Sequence, residues 1–491
     1  MKKNLDKNID KLLETIKETY GNSSDIVIRN IQIGKNKLAY IYLESVSSDD
    51  KISDFLMQNL SSYVKVKKRF SISNLLTSLQ NTIYNSHLST INTYEDLFYY
   101  LASGYTILCL NGNSNAITVE TKSSLDRGVT ESSSETIIRG PKDSFTENNA
   151  INLGLIRKRI KDPNLWFDEQ KVGKRTKSKV TLCYIKGIAD DDKVKVLKEK
   201  ISKIDIDGIL DTGYIREYLT KNQSSAFPEF KSTERPDIAC GSLLEGKIVI
   251  MVENSPYILI APGLLIDFLH TSEDYYQRPI NASFTRLLRF FAFIVTIITP
   301  GMYISLTTFN HEIIPDELLI SLAVQREGVP FPTAVSIISM IITFELLREA
   351  DIRIPNAMGS AVSIVGALIL GEAAVSAGIV SPIVIIIIAI TSISGLLFTD
   401  IDFINAIRIW RFVFIFFSTI CGLVGFVVAG FIFTIKLCSM ECIGIPYLAP
   451  ISPLYKNSQK DALIRSPRYK MIYRPKFIAN GDIKKAGENN D

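Results

Sequence analysis

The chain runs to 491 residues, 46% hydrophobic and 22% charged, with a formal net charge of only +4. That length exceeds one small domain, so two or three are expected, and so weak a charge excludes nucleic acid as an expected partner. The six cysteines (Cys109, Cys183, Cys240, Cys421, Cys438 and Cys442) form no CxxC pair and have no histidine at metal spacing, so they read as reduced thiols of a protein whose soluble part is cytoplasmic.

Residues 1–20 predict an amphipathic helix with Ile9, Leu12, Leu13 and Ile16 on one face, closed by Gly21 and docked on the next domain. The stretch carries charges every few residues and lacks the apolar run of a signal peptide. The polar region before Leu287 is therefore expected on the cytoplasmic side.

An internal repeat follows. Leu38–Leu43 and Val180–Ile185 each read as a strand, followed by Asp49-Asp50-Lys51-Ile52 or Asp191-Asp192-Lys193-Val194 at the start of an amphipathic helix. The aspartates suit an N-cap and first turn, where free N–H groups and the helix dipole favour carboxylates, better than a cation site. Further on, Gly104–Val119 and Gly246–Ile260 each read as a hairpin of β-branched runs around turn residues. The expectation is a soluble α+β region of two related subdomains, 21–150 and 151–285. Neither holds a glycine-rich phosphate loop or a catalytic His/Ser/Asp grouping, so no cofactor, metal or enzyme chemistry is expected.

Between the copies lies a polar linker with a strand ending at Arg139-Gly140-Pro141, then a basic helix bearing Arg157, Lys158 and Arg159. The simplest reading of the basic cluster is a solvated face. Contact with acidic lipid headgroups or with a neighbouring subunit is the sharper one. Arg139, Gly140, Pro141, Arg157 and Arg159 are the candidate linker and assembly residues.

From Leu287 to Leu437 the composition changes. Apolar runs at 290–309, 331–347, 360–378, 379–397 and 412–437 approach the roughly 20 residues that cross a bilayer core. They predict an α-helical polytopic membrane domain over 286–440. Arg278, Arg286 and Arg289, then Arg348 and Arg353, then Arg408 and Arg411 mark three cytoplasmic loops by the positive-inside rule. Five spans would put the tail, 441–491, outside; its many Lys and Arg argue for the inside, hence for an even number of crossings. One weak segment is then a re-entrant or tilted half-span.

The 360–378 segment sets Ser363, Ala367, Gly371, Ala374 and Gly378 along one helical face, the pattern of a close helix–helix contact. Glu372 sits beside Gly371. It reads either as a carboxylate near a membrane surface or paired with a neighbour, or as the lining of an ion path, where one acid per subunit would make a cation-favouring ring. Glu345, Arg348 and Glu349 share a helix face and predict a structural pair at the cytoplasmic membrane edge, ahead of a gate. Asp400 and Asp402 read as interfacial. Ser363, Ala367, Gly371, Glu372, Gly378, Glu345 and Arg348 are the candidate pore or gating residues.

Taken together, Arg127-Gly128-Val129, Glu135–Pro141, Phe145 to Ile160, Pro300–Phe309, Arg326–Pro332, Phe344–Ala350, Ile364–Val375 and Ile445–Pro450 carry a family resemblance. In this order they resemble the A subunits of the GerA-type spore germinant receptors of endospore-forming bacteria, over roughly residues 25 to 455. Ser132-Ser133-Ser134 stands where the family usually has a proline, which bears on the linker's local conformation only. The resemblance implies a spore inner-membrane protein working with a transporter-like B subunit and a lipoprotein C subunit. It also implies self-association into a nutrient-gated ion channel. A solute permease and a non-conducting receptor scaffold are the alternatives; the membrane part shows no inverted repeat that would favour the permease.

Overall fold

The computed structural model describes residues 3–21, 23–33, 36–53, 88–123, 135–353 and 371–487. The first element is α1 (Ile9–Tyr20), capped by Asn8 and stopped by Gly21 at φ 58°. Its apolar face packs on the first subdomain.

That subdomain holds β1 (Ile26–Ile33), β2 (Asn36–Leu43), β3 (Leu88–Ile91), α2 (Tyr94–Ala102), β4 (Tyr105–Leu110) and β5 (Ala116–Glu120). After the linker and α3 (Asn149–Arg159) come β6 (Leu165–Val172), β7 (Ser178–Ile185), α4 (Asp191–Ser202) and α5 (Thr212–Leu219). They are followed by β8 (Lys231–Thr233), α6 (Pro236–Leu244), β9 (Ile248–Val252) and β10 (Ile258–Ala261). The sheets have the orders β1-β2-β4-β5-β3 and β6-β7-β9-β10-β8. All their pairings are antiparallel.

The repeat is therefore real in three dimensions, and its register is shared. Ile41 pairs with Ile107 as Cys183 pairs with Val249, and Thr118 pairs with Ser89 as Ile260 pairs with Lys231. Each unit is larger than a strand, a helix and a hairpin, because β1 and β6 extend one edge and β3 and β8 the other. Asp190, not the aspartate pair after it, caps α4 by accepting from Asp192 N.

The helical part holds α7 (Pro279–Thr308), α8 (Asp316–Arg326), α9 (Thr333–Arg353), α10 (Pro382–Gly395) and α11 (Ile401–Ser439). Among the described residues, α7 and α11 are long and apolar enough to cross a membrane by length and composition. Helix α10 has 14 residues, about 21 Å at 1.5 Å per residue. The 360–370 stretch lies outside the described residues.

Helix α11 is not one rod. Gly422 takes φ 57° and ψ −135° within it, which breaks the helix. The two halves fold back on each other. The rings of Trp410 and Phe433 lie 5.0 Å apart, whereas a straight helix would separate them by about 35 Å. Phe414 likewise meets Phe426 at 5.5 Å. The predicted last span is thus a hairpin of 401–421 and 423–439. Its small residues are close because the chain doubles back: a Cβ on Gly425 would strike Phe417 O and Cys421.

The hairpin tip meets the end of α7. Asn310 Oδ1 accepts the freed Leu423 N–H at 3.2 Å, and a Cβ on Gly422 would fall 2.6 Å from Phe309 Cβ. About two turns before the end of α7, Gly301 lies against Phe414 and Ser418. The chain after Ser439 returns to the soluble region. Tyr447 and Phe227 are buried with Phe293 and Phe403 at the base of the bundle. The tail, expected as a separate basic extension, is folded against subdomain two.

Candidate functional site

Two charged centres organise the helical part. The first lies within the bundle. Glu345 on α9 is held by Arg411 at 2.6 Å, Arg348 at 3.0 Å and Arg408 at 3.4 Å. One carboxylate thus faces three guanidiniums from two helices, an excess of two positive charges. Glu345 stands about 18 Å along α9 from Thr333, and Arg411 about 15 Å along α11 from Ile401. The centre is near the middle of α9 and of the first half of α11. The expected Glu345–Arg348 pair is present, and Arg408 and Arg411 extend it into an interhelical hub, while Glu349 takes Arg353, at 2.5 Å. Nε of Arg348 and of Arg411 is buried without a hydrogen-bond acceptor among the described residues. Removing one partner of such a cluster leaves uncompensated charge.

The second centre joins the bundle to the soluble region. Arg286 and Arg289, one turn apart on α7, both grip Asp274 (Arg286 Nε at 3.1 Å), and Arg286 also reaches Asp461 of the tail at 2.7 Å. Tyr275 donates to Asp461 at 2.9 Å. His270 Nε2 lies 2.7 Å from the Ala462 carbonyl. Burial and then the Arg286 charge push the His270 pKa down to about 4, so the ring is neutral near pH 7 and donates there. Burial alone would raise Asp274, but the hydrogen bond and charge of Arg289 outweigh it and hold the carboxyl below its usual range. A cavity of about 430 Å³ opens beside this centre, between α6 and the tail.

Most of the arginines that flank the apolar runs are also ion-pair partners. Arg286 and Arg289 are buried ion-pair partners, and Arg348, Arg408 and Arg411 serve Glu345. Of the seven, Arg278 and Arg353 are exposed. Asp402, expected at an interface, pairs with Arg216 of α5, and Asp400 caps α11 through Phe403 N.

Ser363 and Ala367 lie outside the described residues. Gly371 is buried against Ile385 of α10, and Glu372 beside it is exposed. Gly378 is not on a helical face: at φ 65° it ends the helical turn, donating to Val375 O at 2.9 Å. The chain then reverses into α10.

In the linker, Glu273 receives the backbone N–H groups of Ile138 and Arg139. Arg235 donates to the Pro141 carbonyl at 2.8 Å, and Gly140 takes φ 139°, where a Cβ would strike Ile137 and Tyr276. Ile138 is left 97% exposed. Arg159 pairs with Asp143. Arg157 departs from the solvated-face reading. It is fully buried, makes 3.0 Å bonds to both Asp25 oxygens and lies over Phe167.

The family profile described as Bacillus/Clostridium GerA spore germination protein matches residues 14–477. The chain belongs to the GerA family. Among relatives of this GerA chain, spore germination protein KA of Bacillus subtilis is 37% identical over 97% of this chain and 88% of its own length. Spore germination protein GerLA of Bacillus cereus is 33% identical over 97% of each. A Bacillus subtilis membrane protein, YfkQ, is 33% identical over 99% of this chain and 94% of its own. The N-terminal domain of the A subunit of the Bacillus megaterium germinant receptor GerK3 is a similar solved structure. It is 35% identical, with a TM-score of 0.44, over 55% of this GerA chain and all of that one.

Proposed function

We propose that the chain is the A subunit of a spore germinant receptor, set in the spore inner membrane with its two soluble subdomains cytoplasmic. It has no catalytic role. The observation that carries the germination role is the GerA match across nearly the whole chain. The meeting of the start of α7 and the tail at one end, through Arg286 and Asp461, supports a multi-pass reading with an even number of crossings.

On this reading the subunit associates with copies of itself, with a transporter-like B subunit and with a lipoprotein C subunit. Ile138, exposed on a linker pinned by Glu273, suits such a contact. Opening creates an ion path, bordered by the segment that carries Gly371 and Glu372. The Glu345 hub, with its positive excess between α9 and α11, holds the bundle closed to cations.

Purified protein in liposomes tests this. Ion flux from variants that loosen the bundle supports a channel. Stoichiometric solute uptake supports a permease, and neither leaves a scaffold. In spores, Glu372→Gln is expected to alter nutrient-triggered cation release at normal protein level; unchanged release removes Glu372 from the path.

A further inference from the structure

The two subdomains close one edge in the same way, but with different parts of the chain. In subdomain one, Lys122, just after β5, forms an antiparallel bridge with Ser47, and Ser123 N donates to Val46 O at 2.9 Å. In subdomain two, the positions equivalent to Ser47 and Val46 under the shared register are Ala189 and Ile188. There the bridge partner of Ala189 is Ala479, and Asn480 N donates to Ile188 O at 3.1 Å. Asp482 N adds a 2.7 Å bond to Gly187 O.

The floor of the groove matches as well. Gly104 and Gly246 are equivalent and have φ of 83° and 93°. A Cβ on Gly104 would meet Val46 O and Lys122; one on Gly246 would meet Ile188 O and Ala479, at 3.1 Å. Subdomain two cannot fill the groove with its own continuation. After β10 the chain turns away at Gly263, which packs on the backbone of Glu229 and Lys231.

We propose that Ile478–Asp482 is a coupling strap. It supplies in subdomain two the edge that Thr121–Ser123 supplies in subdomain one, and so ties the exit of the α11 hairpin to the soluble region. In subdomain one the segment is continuous with β5 and cannot leave. In subdomain two it is reached only through the tail from Ser439, and just Ile478 and Ala479 of its side chains are buried. Motion of the hairpin is therefore transmitted to the β7–α4 turn, and strap release accompanies opening. The opening step rests on the germination reading; the docking does not.

Two measurements on the full-length protein test it. In detergent, Ala479→Arg should raise amide exchange of residues 476–487 at least tenfold while β9 and β10 keep their protection. Persistent protection of 476–487, or equal loss in β9 and β10, would overturn the strap as a separable element. In spores, the pair Ala189→Cys and Ala479→Cys should cut nutrient-triggered ion release at least fivefold when oxidised and regain it on reduction with dithiothreitol. The matching pair Ser47→Cys and Lys122→Cys should have no effect. Equal release from the oxidised and reduced Ala189/Ala479 pair overturns the coupling. Absence of nutrient response in reduced and parent proteins alike would sink the germination reading and leave the exchange result standing.

Discussion

Arg157 and Asp25 face each other through two hydrogen bonds of 3.0 Å, although 132 positions separate them in the chain. The pair bolts α3 of subdomain two to the start of β1 in subdomain one. Burial alone would raise the Asp25 pKa, but the Arg157 charge and three hydrogen-bond donors outweigh it and keep the carboxyl ionised below its usual range. Arg157→Ala should cost about 3–5 kcal/mol, because it strands a buried charge. Asp25→Asn with Arg157→Met should recover part of that. Denaturant unfolding of the wild type, Arg157→Met, Asp25→Asn and the double variant measures the cycle; a loss in the double variant equal to the sum of the single losses would contradict it.

The same pair sets an acid limit. A carboxylate lowered on folding stabilises above its unfolded pKa, and that stability is lost as pH falls through the folded value. Wild-type stability should therefore drop below about pH 4, and the double variant should drop less over that range.

His270 works at a higher pH. Its folded pKa of about 4 lies below the ordinary 6.5, so the unfolded chain takes up the proton first. Stability should fall as pH is lowered from about 6.5 to 4, by at most about 1.4 kcal/mol per unit. His270→Gln, which keeps a donor for the Ala462 carbonyl, should flatten the slope in that window. A slope unchanged by the substitution would assign the effect to another group.

At Gly422, alanine would combine a positive φ with a clash on Phe309. Gly422→Ala should cost about 1–2 kcal/mol from the backbone alone, and more from the contact. Phe309→Ala in the same chain should restore only the contact part. Thermal unfolding in detergent gives both numbers.

Glu345→Gln removes the one carboxylate from among Arg348, Arg408 and Arg411. Mutual repulsion of the three guanidiniums should then part α9 from α11. The expected outcome is spontaneous ion leakage from loaded liposomes or premature germination, at normal protein level. Tight vesicles with folded protein would show that the hub is not a latch.

Local pattern made α1, β2, β7 and both hairpins legible: their apolar residues recur at helical or strand spacing, and Gly21 marks a stop. Strand β6 escaped because Asp168 to Lys171 interrupt its apolar side on a half-exposed edge. Arg157 reads as surface because charge is the usual sign of it; its partner is remote in sequence, and only folding brings the two together. Arg408 and Arg411 read as loop markers for the same reason, since nothing near them in the chain announces Glu345. Gly422 sits in an apolar run where glycine for packing and glycine for a reversal look alike. The difference lies in φ, which the sequence does not display.

The groove at Gly246 has a consequence for biosynthesis. Ala479 is translated after every helix of the bundle. Subdomain two therefore emerges from the ribosome with that edge open, and keeps it open until Ala479 has followed the hairpin at Gly422. Closing the groove comes after the bundle helices are made, so a chain cut short between Ser439 and Ile478 would carry a complete bundle under an unfinished soluble domain.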